Sequence, residues 1–578
     1  MAQEDFLAKQ YFQDGDYEKA VVFYEKLVET NPRRTDYAEG LVACYQQLER
    51  YDDAEAFLLQ KIEDSYAFPT FYIELGYNFT LKNEAEEATA YYDKAINKIE
   101  DNPNYGYSVG YRFQKYALLD YAIQAYTKAM ELKPDLNYDF QLARIYGEQG
   151  DIAKMYQSYL NLIWEGRTSR SNVLRNIDDF ISEDPSDENN ILLRKVLLQN
   201  AQNTPDVLWN ELLSWLFVQQ KQYNSAFSQE KAIYKRSEGQ SVDRLENLGN
   251  IALEDKDWET ATEIYEYIVD NTENPRTRLN AELNLIDIAL ENPTEKVLED
   301  VEKKFERLVE TYGIESQTLQ LQVAYANFLT FKKETPEPAI AMLKESMELP
   351  MGRMTMAYIK LALGDILVFD QRFNEALILF TQVQKSVKND VVGQDARFKV
   401  AQTSFYKGDF DWALTQLKVL RSSTSQLIAN DAMQLSLLIS DNSLEDSTQT
   451  ALKKYAKADL LAYQNKNTEA IAALEDILQN HKGEKIEDEA LLKQAELLVE
   501  QKKYESAEFN YQKIVEFYSD GILADDAHFA LGELYENTLN EPEKAKGHYE
   551  KIIYNYQDSY YFPQARKNFR RLRGDAIN

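Results

Sequence analysis

Between Gly15 and Pro32 the apolar residues Ala20, Phe23, Tyr24 and Leu27 recur at the spacing of one face of an α-helix, with charged residues between them. Gly15-Asp16 supplies a turn ahead of this stretch and Asn31-Pro32 a stop behind it, so it predicts one complete amphipathic helix. The pattern then returns. Stepping 34 residues from Ala20 reaches Ala54, then Ala88, then Ala122, within the similar stretches YDDAEAFLLQKI, AEEATAYYDKAI and LDYAIQAYTKAM. A fixed period with a small residue at one place predicts helix-turn-helix units, each burying its apolar face only by stacking on its neighbours.

From about 165 to 205 the pattern decays; SRSNVLRNIDDFISEDPSDENN keeps helical apolar spacing without the small residue and reads as a degenerate unit or a joint. Trp209, Leu212, Leu213, Trp215 and Leu216 then predict an apolar helix whose tryptophans are core, and units resume around Ala226 and Ala261. Residues 275–350 alternate weaker helices, with Pro293, Pro336 and Pro338 at helix starts, where a missing N–H is harmless. Beyond 352, Ala376, Ala413, Ala470, Ala507 and Ala545 centre further units at steps of 37, 57, 37 and 38, so helices or loops here are longer. The step of 57 contains QLIANDAMQLSLLIS, which reads as an unpaired helix and predicts a bend or loosened joint within about 421–448. A last amphipathic helix is predicted to open at Asp558 or Ser559. Its cations Lys567, Arg570, Arg571 and Arg573 suit a helix C-terminus and a solvated cap, or a contact with an acidic partner or membrane headgroups. The chain thus divides into a regular array (1–170), degenerate repeats (171–350) and a second array with longer repeats and a cap (351–578).

Composition narrows what such an array can do. Hydrophobic residues make up 44% of the chain, with 40 Tyr and 26 Phe, enough for a folded protein, and the scarcity of Gly (20) and Pro (13) suits helices with short loops. A net charge of −33 argues against nucleic acid, whose affinity rests on phosphate neutralisation; it fits solubility of a large surface or recruitment of a basic partner. The single cysteine, Cys44, forms no internal disulfide and reads as a small buried residue. No apolar run is long enough to span a membrane. The histidines His481, His528 and His548 have no metal-ligand spacing, and no phosphate loop or nucleophile elbow is present, so no enzymatic activity, metal or cofactor is expected.

In the first unit, Leu7, Ala8, Tyr11, Gly15, Ala20, Tyr24 and Pro32 fall where the tetratricopeptide repeat family places its large, small and helix-ending residues, and the segment resembles that family. Later units keep the pattern: Leu41, Tyr45 and Ala54; Leu75, Gly76, Phe79, Ala88, Tyr92 and Ala95; Gly110, Phe113, Ala122, Tyr126, Ala129 and Pro134. The fifth holds Leu142, Ala143, Tyr146, Gly150 and Tyr159, with Met155 at the small-residue place. The resemblance implies an all-α, right-handed solenoid of about fourteen or fifteen helix pairs plus a capping helix. It also implies that the first helix of each pair lines a concave peptide groove. The positions of the carboxylate clamp found in chaperone-binding members hold Asp5 and Lys9, then Ala43, then Ile73 and Tyr77, so that clamp is absent. Tyr77, Tyr107 and Tyr111 are instead expected to share the inner face, with Phe140 as a candidate neighbour, and to offer an aromatic surface to an apolar or extended peptide.

The last units, FYSDGILADDAHFALGELYEN and AKGHYEKIIYNYQDS, are similar to tetratricopeptide repeats of bacterial envelope proteins that serve outer-membrane assembly and cell division. The start Met1-Ala2-Gln3-Glu4-Asp5 resembles a secreted chain after removal of its leader. The expectation is a non-enzymatic scaffold for protein or peptide partners in a periplasmic or outer-membrane-associated complex, peripheral to the membrane. A cytoplasmic scaffold or regulatory peptide-binding protein is the alternative, and an accessory subunit of an envelope enzyme or secretion machine is a third reading.

Overall fold

The recurring turn residues decide where each helix stops. Gly15, Glu49, Asn83, Ala117 and Gly150 all take positive φ, between 55° and 80°. The residue after each one donates its N–H to a carbonyl five places back: Asp16 to Tyr11 (2.9 Å), Arg50 to Tyr45 (2.8 Å), Glu84 to Phe79 (2.9 Å), Leu118 to Phe113 (2.9 Å) and Asp151 to Tyr146 (2.8 Å). This left-handed closure satisfies the last carbonyls of one helix and starts the next within a few residues. Gly15 and Gly150 adopt it without penalty, whereas Ala117 does so at a steric cost.

In the computed structural model of the chain, residues 2–63, 68–237, 241–421, 425–443 and 449–575 are described. Among them are thirty-two α-helices and two short 3-10 turns, with no strand. Two helices, Gln426–Ser443 and the last, Phe562–Arg573, stand outside the alternation; the others follow as fifteen successive helix pairs in chain order, of which Arg170–Ile177 and Glu188–Asn203 each pack on Ile152–Trp164 rather than chiefly on each other. Contacts group the chain into two compact units, Met1–Asn271 and Thr272–Asn578.

Within a pair, one contact recurs in both units. A Cβ on Gly76, Gly110, Gly249, Gly364 or Gly532 would lie about 2–3 Å from the ring of Tyr92, Tyr126, Tyr265, Phe380 or Tyr549 on the following helix. The glycine lets the ring lie flat on the first helix, and the phenol finds a partner nearby: Tyr92 with Thr80 (2.9 Å), Tyr126 with Gln114 (2.9 Å), Tyr265 with Asn250 (2.6 Å). Opposite Gly364 the ring is Phe380, which has no hydroxyl to satisfy. The alanines Ala20, Ala54, Ala122, Ala376, Ala413, Ala470, Ala507 and Ala545 are fully buried. At the irregular fifth unit Met155 is buried too, its Sδ only 3.1 Å from where a Cβ on Gly147 would sit, so the missing side chain at 147 makes room for it.

Around the decayed 165–205 stretch, the helices Arg170–Ile177 and Glu188–Asn203 are joined through the 3-10 turn Asp178–Phe180. Trp209 is core: it stacks on Trp164 (5.4 Å) and donates its indole N–H to the Thr204 carbonyl (2.8 Å). The longer repeats of the second unit arise in the first helix of the pair. Arg353–Phe369 and Val391–Lys407 each run 17 residues, against 12 for Ala2–Gln13 and Thr70–Leu81.

One expectation is corrected here. The last helix begins at Phe562, not at Asp558 or Ser559, because the Ser559 hydroxyl accepts the Tyr561 N–H (3.0 Å) and holds a turn ahead of Pro563 in the first helical turn. The expected loose joint within 421–448 includes 422–424 and 444–448, which lie outside the described residues. The described residues on either side are firmly tied. Helix Gln426–Ser443 buries Ile428, Ala432 and Ile439 against its neighbours. Just beyond the helix Thr450–Tyr463, Gln464 Nε2 donates to the Phe369 carbonyl (2.5 Å) and Asn465 Nδ2 to the Phe331 carbonyl (3.0 Å).

Candidate functional site

The first helices Thr35–Gln47, Thr70–Leu81 and Gly106–Lys115 of three successive pairs meet on one face through a charged node. Arg112, on Gly106–Lys115, bonds Glu74 of the preceding pair (2.6 Å) and Glu39 of the pair before that. Glu74 is buried and also accepts the Tyr116 hydroxyl (2.6 Å). Burial works against the Arg112 cation, but the charges of Glu74 and Glu39 more than offset it and hold the guanidinium above its ordinary value. Removing one partner would strand a buried charge, so this node fixes the inner face rather than offering it.

The aromatic residues expected on that face divide. Tyr77 is half-buried and lies flat on Tyr116 at 3.9 Å, filled in beside the node. Tyr107 and Tyr111, one turn apart, stack on each other (6.1 Å, 10° between planes) and are 51% and 58% exposed. Phe140 is exposed and sets its edge against Tyr159. Tyr107 and Tyr111 are therefore a free aromatic pair, whereas Tyr77 belongs to a packed cluster. Of the clamp positions, Asp5 and Lys9 pair with each other (3.0 Å) and Ile73 is fully buried.

A second opening lies in the unit Thr272–Asn578 and was not anticipated. It is a groove of about 1220 Å³ along the first helices Pro275–Ala289, Leu319–Phe331, Arg353–Phe369 and Val391–Lys407, closed at one end by Leu427 and Tyr463. Phe305, Phe328, Ile359 and Leu361 form its buried base, while Tyr358, Val391 and Leu427 are left substantially open to solvent. Its walls carry charge. Lys399 bonds both oxygens of Asp365 (2.9 and 3.0 Å), and Tyr463 donates to the Asp365 carbonyl (3.1 Å). Burial pushes Asp365 up from its ordinary value, and Lys399 pulls it back. Asp287 and Asp395 line the two ends of the groove, and burial raises both.

Sequence reasoning missed this groove because repeat matching was weakest over 275–350. A signal was nevertheless present. RMTMAYIKLALGDILVF is apolar almost all round, more than one buried stripe requires, and the surplus residue Tyr358 is the one left facing the groove.

At the C-terminus, Arg571 pairs with Glu536, Arg573 with Asp575, and Arg570 lies 3.6 Å from Asp575; Lys567 is exposed. His528 and His548 face each other, Nδ1 to Nδ1 at 3.0 Å, and burial lowers both to about 4, so at neutral pH one neutral ring donates to the other. His481 instead pairs with Glu484 (2.9 Å). Among the described residues no group of His, Cys, Asp or Glu is arranged to hold a metal ion, and no helix is long and apolar enough to cross a membrane.

Comparison with known proteins supplies the family. Residues 11–63, 455–522 and 526–559 each match a tetratricopeptide repeat model. A solved structure titled "Structure of Naa15/Naa10 bound to HypK-THB" is 12% identical, with 99% of this chain and 96% of that chain covered and a TM-score of 0.28. No curated protein matches the chain. Matched repeats lie in both units, the same glycine-on-ring contact recurs at Gly110, Gly249 and Gly364 outside the matched segments, and the chain is a tetratricopeptide repeat protein with an all-α solenoid fold.

Proposed function

We propose that this chain is a non-catalytic interaction scaffold and that the first-helix groove of the Thr272–Asn578 unit seats its protein partner. One observation carries the reading: an open groove of about 1220 Å³ whose walls leave Tyr358 and Leu427 56% and 70% exposed, large apolar side chains that a folded chain has reason to cover. Repeats of this family typically bind protein partners, which agrees with the absence of a catalytic motif in the sequence. A photo-crosslinking residue at Tyr358, in cells, is expected to capture a discrete partner that the same residue on an outer helix does not.

The Tyr107–Tyr111 pair supports a second docking place in the Met1–Asn271 unit, since stacked exposed aromatics give large contact area at low entropy cost. Tyr107→Ala with Tyr111→Ala is expected to weaken binding there by about 1–3 kcal/mol without lowering the thermal midpoint. Crosslinks from Tyr107 but none from Tyr358 would move the partner to that face.

The place of this scaffold is a bacterial envelope complex, in the periplasm or peripheral to the outer membrane, a reading supported by the resemblance of the last units to envelope repeats. A crosslinked pull-down with soluble and membrane fractions kept apart tests it: envelope proteins in the eluate support the reading, and recovery with cytosolic proteins alone replaces it with a cytoplasmic scaffold.

A further inference from the structure

The groove's chemistry says which partner it suits, a step that rests on the docking role proposed above. Its base is apolar, but its carboxylates are poorly matched. Asp287 sits at one end on Pro275–Ala289 and Asp395 at the other on Val391–Lys407. Asp431, on Gln426–Ser443 one turn beyond the lining residues Leu427 and Ile428, feels the charge of Asp395 from outside the groove's lining. No cation lies within ion-pair distance of any of these three among the described residues, and desolvation by the surrounding walls raises each from its ordinary value, although Asp287 keeps an exposed face. Lys399 faces Asp395 one turn along the helix, but both its short contacts go to Asp365. That leaves Lys332 as the lining cation not engaged with a carboxylate, exposed at the rim.

Crowded carboxylates beside exposed apolar side chains are costly in the free protein and favourable once a cation is supplied from outside. We infer that the groove takes a protein segment that is apolar along one face and carries Lys or Arg beside it, the apolar side chains covering Tyr358 and Leu427 and the cations meeting Asp395 with Asp431 and, at the far end, Asp287. The chain's net charge of −33 steers such a segment in and an acidic one away. The wall carboxylates thereby set specificity, while the apolar base supplies contact area.

The test is selection of a random-peptide phage library on the full chain, followed by affinity measurement with the enriched peptides resynthesised. Apolar peptides with Lys or Arg are expected. Their affinity should fall at least about tenfold on the triple variant Asp287→Asn, Asp395→Asn, Asp431→Asn, and should decline with added salt. These substitutions keep side-chain size and relieve repulsion, so the thermal midpoint should hold or rise. Binding should also be abolished by Leu427→Asp with Tyr358→Asp, both at exposed positions. Peptides lost on the Leu427/Tyr358 variant but indifferent to the asparagine variant, or enriched without basic residues, would overturn the cation assignment and leave the groove as a docking site. If no enriched peptide responds to the Leu427/Tyr358 variant, or none is enriched, the docking role falls as well.

Discussion

Gly110 and Tyr126 show how a single residue choice sets the helix spacing. A Cβ on Gly110 would lie 2.5 Å from two ring atoms of Tyr126, which is fully buried and held by Gln114, so the ring has nowhere to go. Gly110→Ala is therefore expected to destabilise the Met1–Asn271 unit by about 1–3 kcal/mol, read as a lower thermal midpoint. Ala117 presents the opposite case. It is exposed, holds φ of 55° and closes the same helix, so Ala117→Gly is expected to stabilise by about 0.5–1 kcal/mol, relief of left-handed strain outweighing the entropy of glycine. An unchanged or lower midpoint in chemical denaturation would show that the turn carries no strain. The small residues were legible in the sequence because the period repeats them. The fate of Tyr77 was not, because its partner Tyr116 is brought beside it only by the packing of one pair on the next.

Among the elements, the helix Thr450–Tyr463 departs from nearest-neighbour stacking. Tyr463, Gln464 and Asn465 bond carbonyls at Asp365, Phe369 and Phe331, and Phe331 meets both Phe369 and Tyr463 edge-on. Gln464→Ala would leave the Phe369 carbonyl without its donor, at a cost of about 1–3 kcal/mol. The effect should be local: faster amide exchange at the ends of Leu319–Phe331 and Arg353–Phe369, with the Met1–Asn271 unit unchanged. Exchange that does not respond would show the bond to be energetically idle. The extra helix was readable from the broken step between Ala413 and Ala470 and from its apolar spacing. The ties at the end of Thr450–Tyr463 were not, since those bonds join residues up to 134 positions apart.

For the molecule as a whole, the charge distribution makes a pH dependence. In the Thr272–Asn578 unit, burial followed by the neighbouring Asp488 and Asp526 raises Glu489 from 4.5 to about 8, and burial with Asp525 raises Asp526 from 3.8 to about 6. Groups raised on folding stabilise at low pH, and that contribution is lost as pH rises through the folded values. The histidine pair works the other way: lowered from 6.5 to about 4, it stabilises above 6.5 and loses this as pH falls. Below 6.5 the two slopes oppose; between 6.5 and 8 the Glu489 slope dominates. Stability of this unit should drop by on the order of 2 kcal/mol over that interval. Thermal melts across pH check it, and Glu489→Gln should flatten the profile; an equally steep one would place the titration elsewhere.

The sequence by itself determined the helices, their pairing, the period and the residues between paired helices, because these depend on contacts a few turns apart that each repeat states again. It also determined that the chain is acidic and lacks a recognisable catalytic motif. Only the tertiary structure decided which side chains remain open: Tyr107 and Tyr111 rather than Tyr77 on first helices of one unit, and in the other Tyr358 and, on the unpaired helix, Leu427, at a groove where repeat signals were faint. The physical reason is that exposure on the shared face depends on how successive pairs pack, and a node such as Glu39–Arg112–Glu74 is written across three of them.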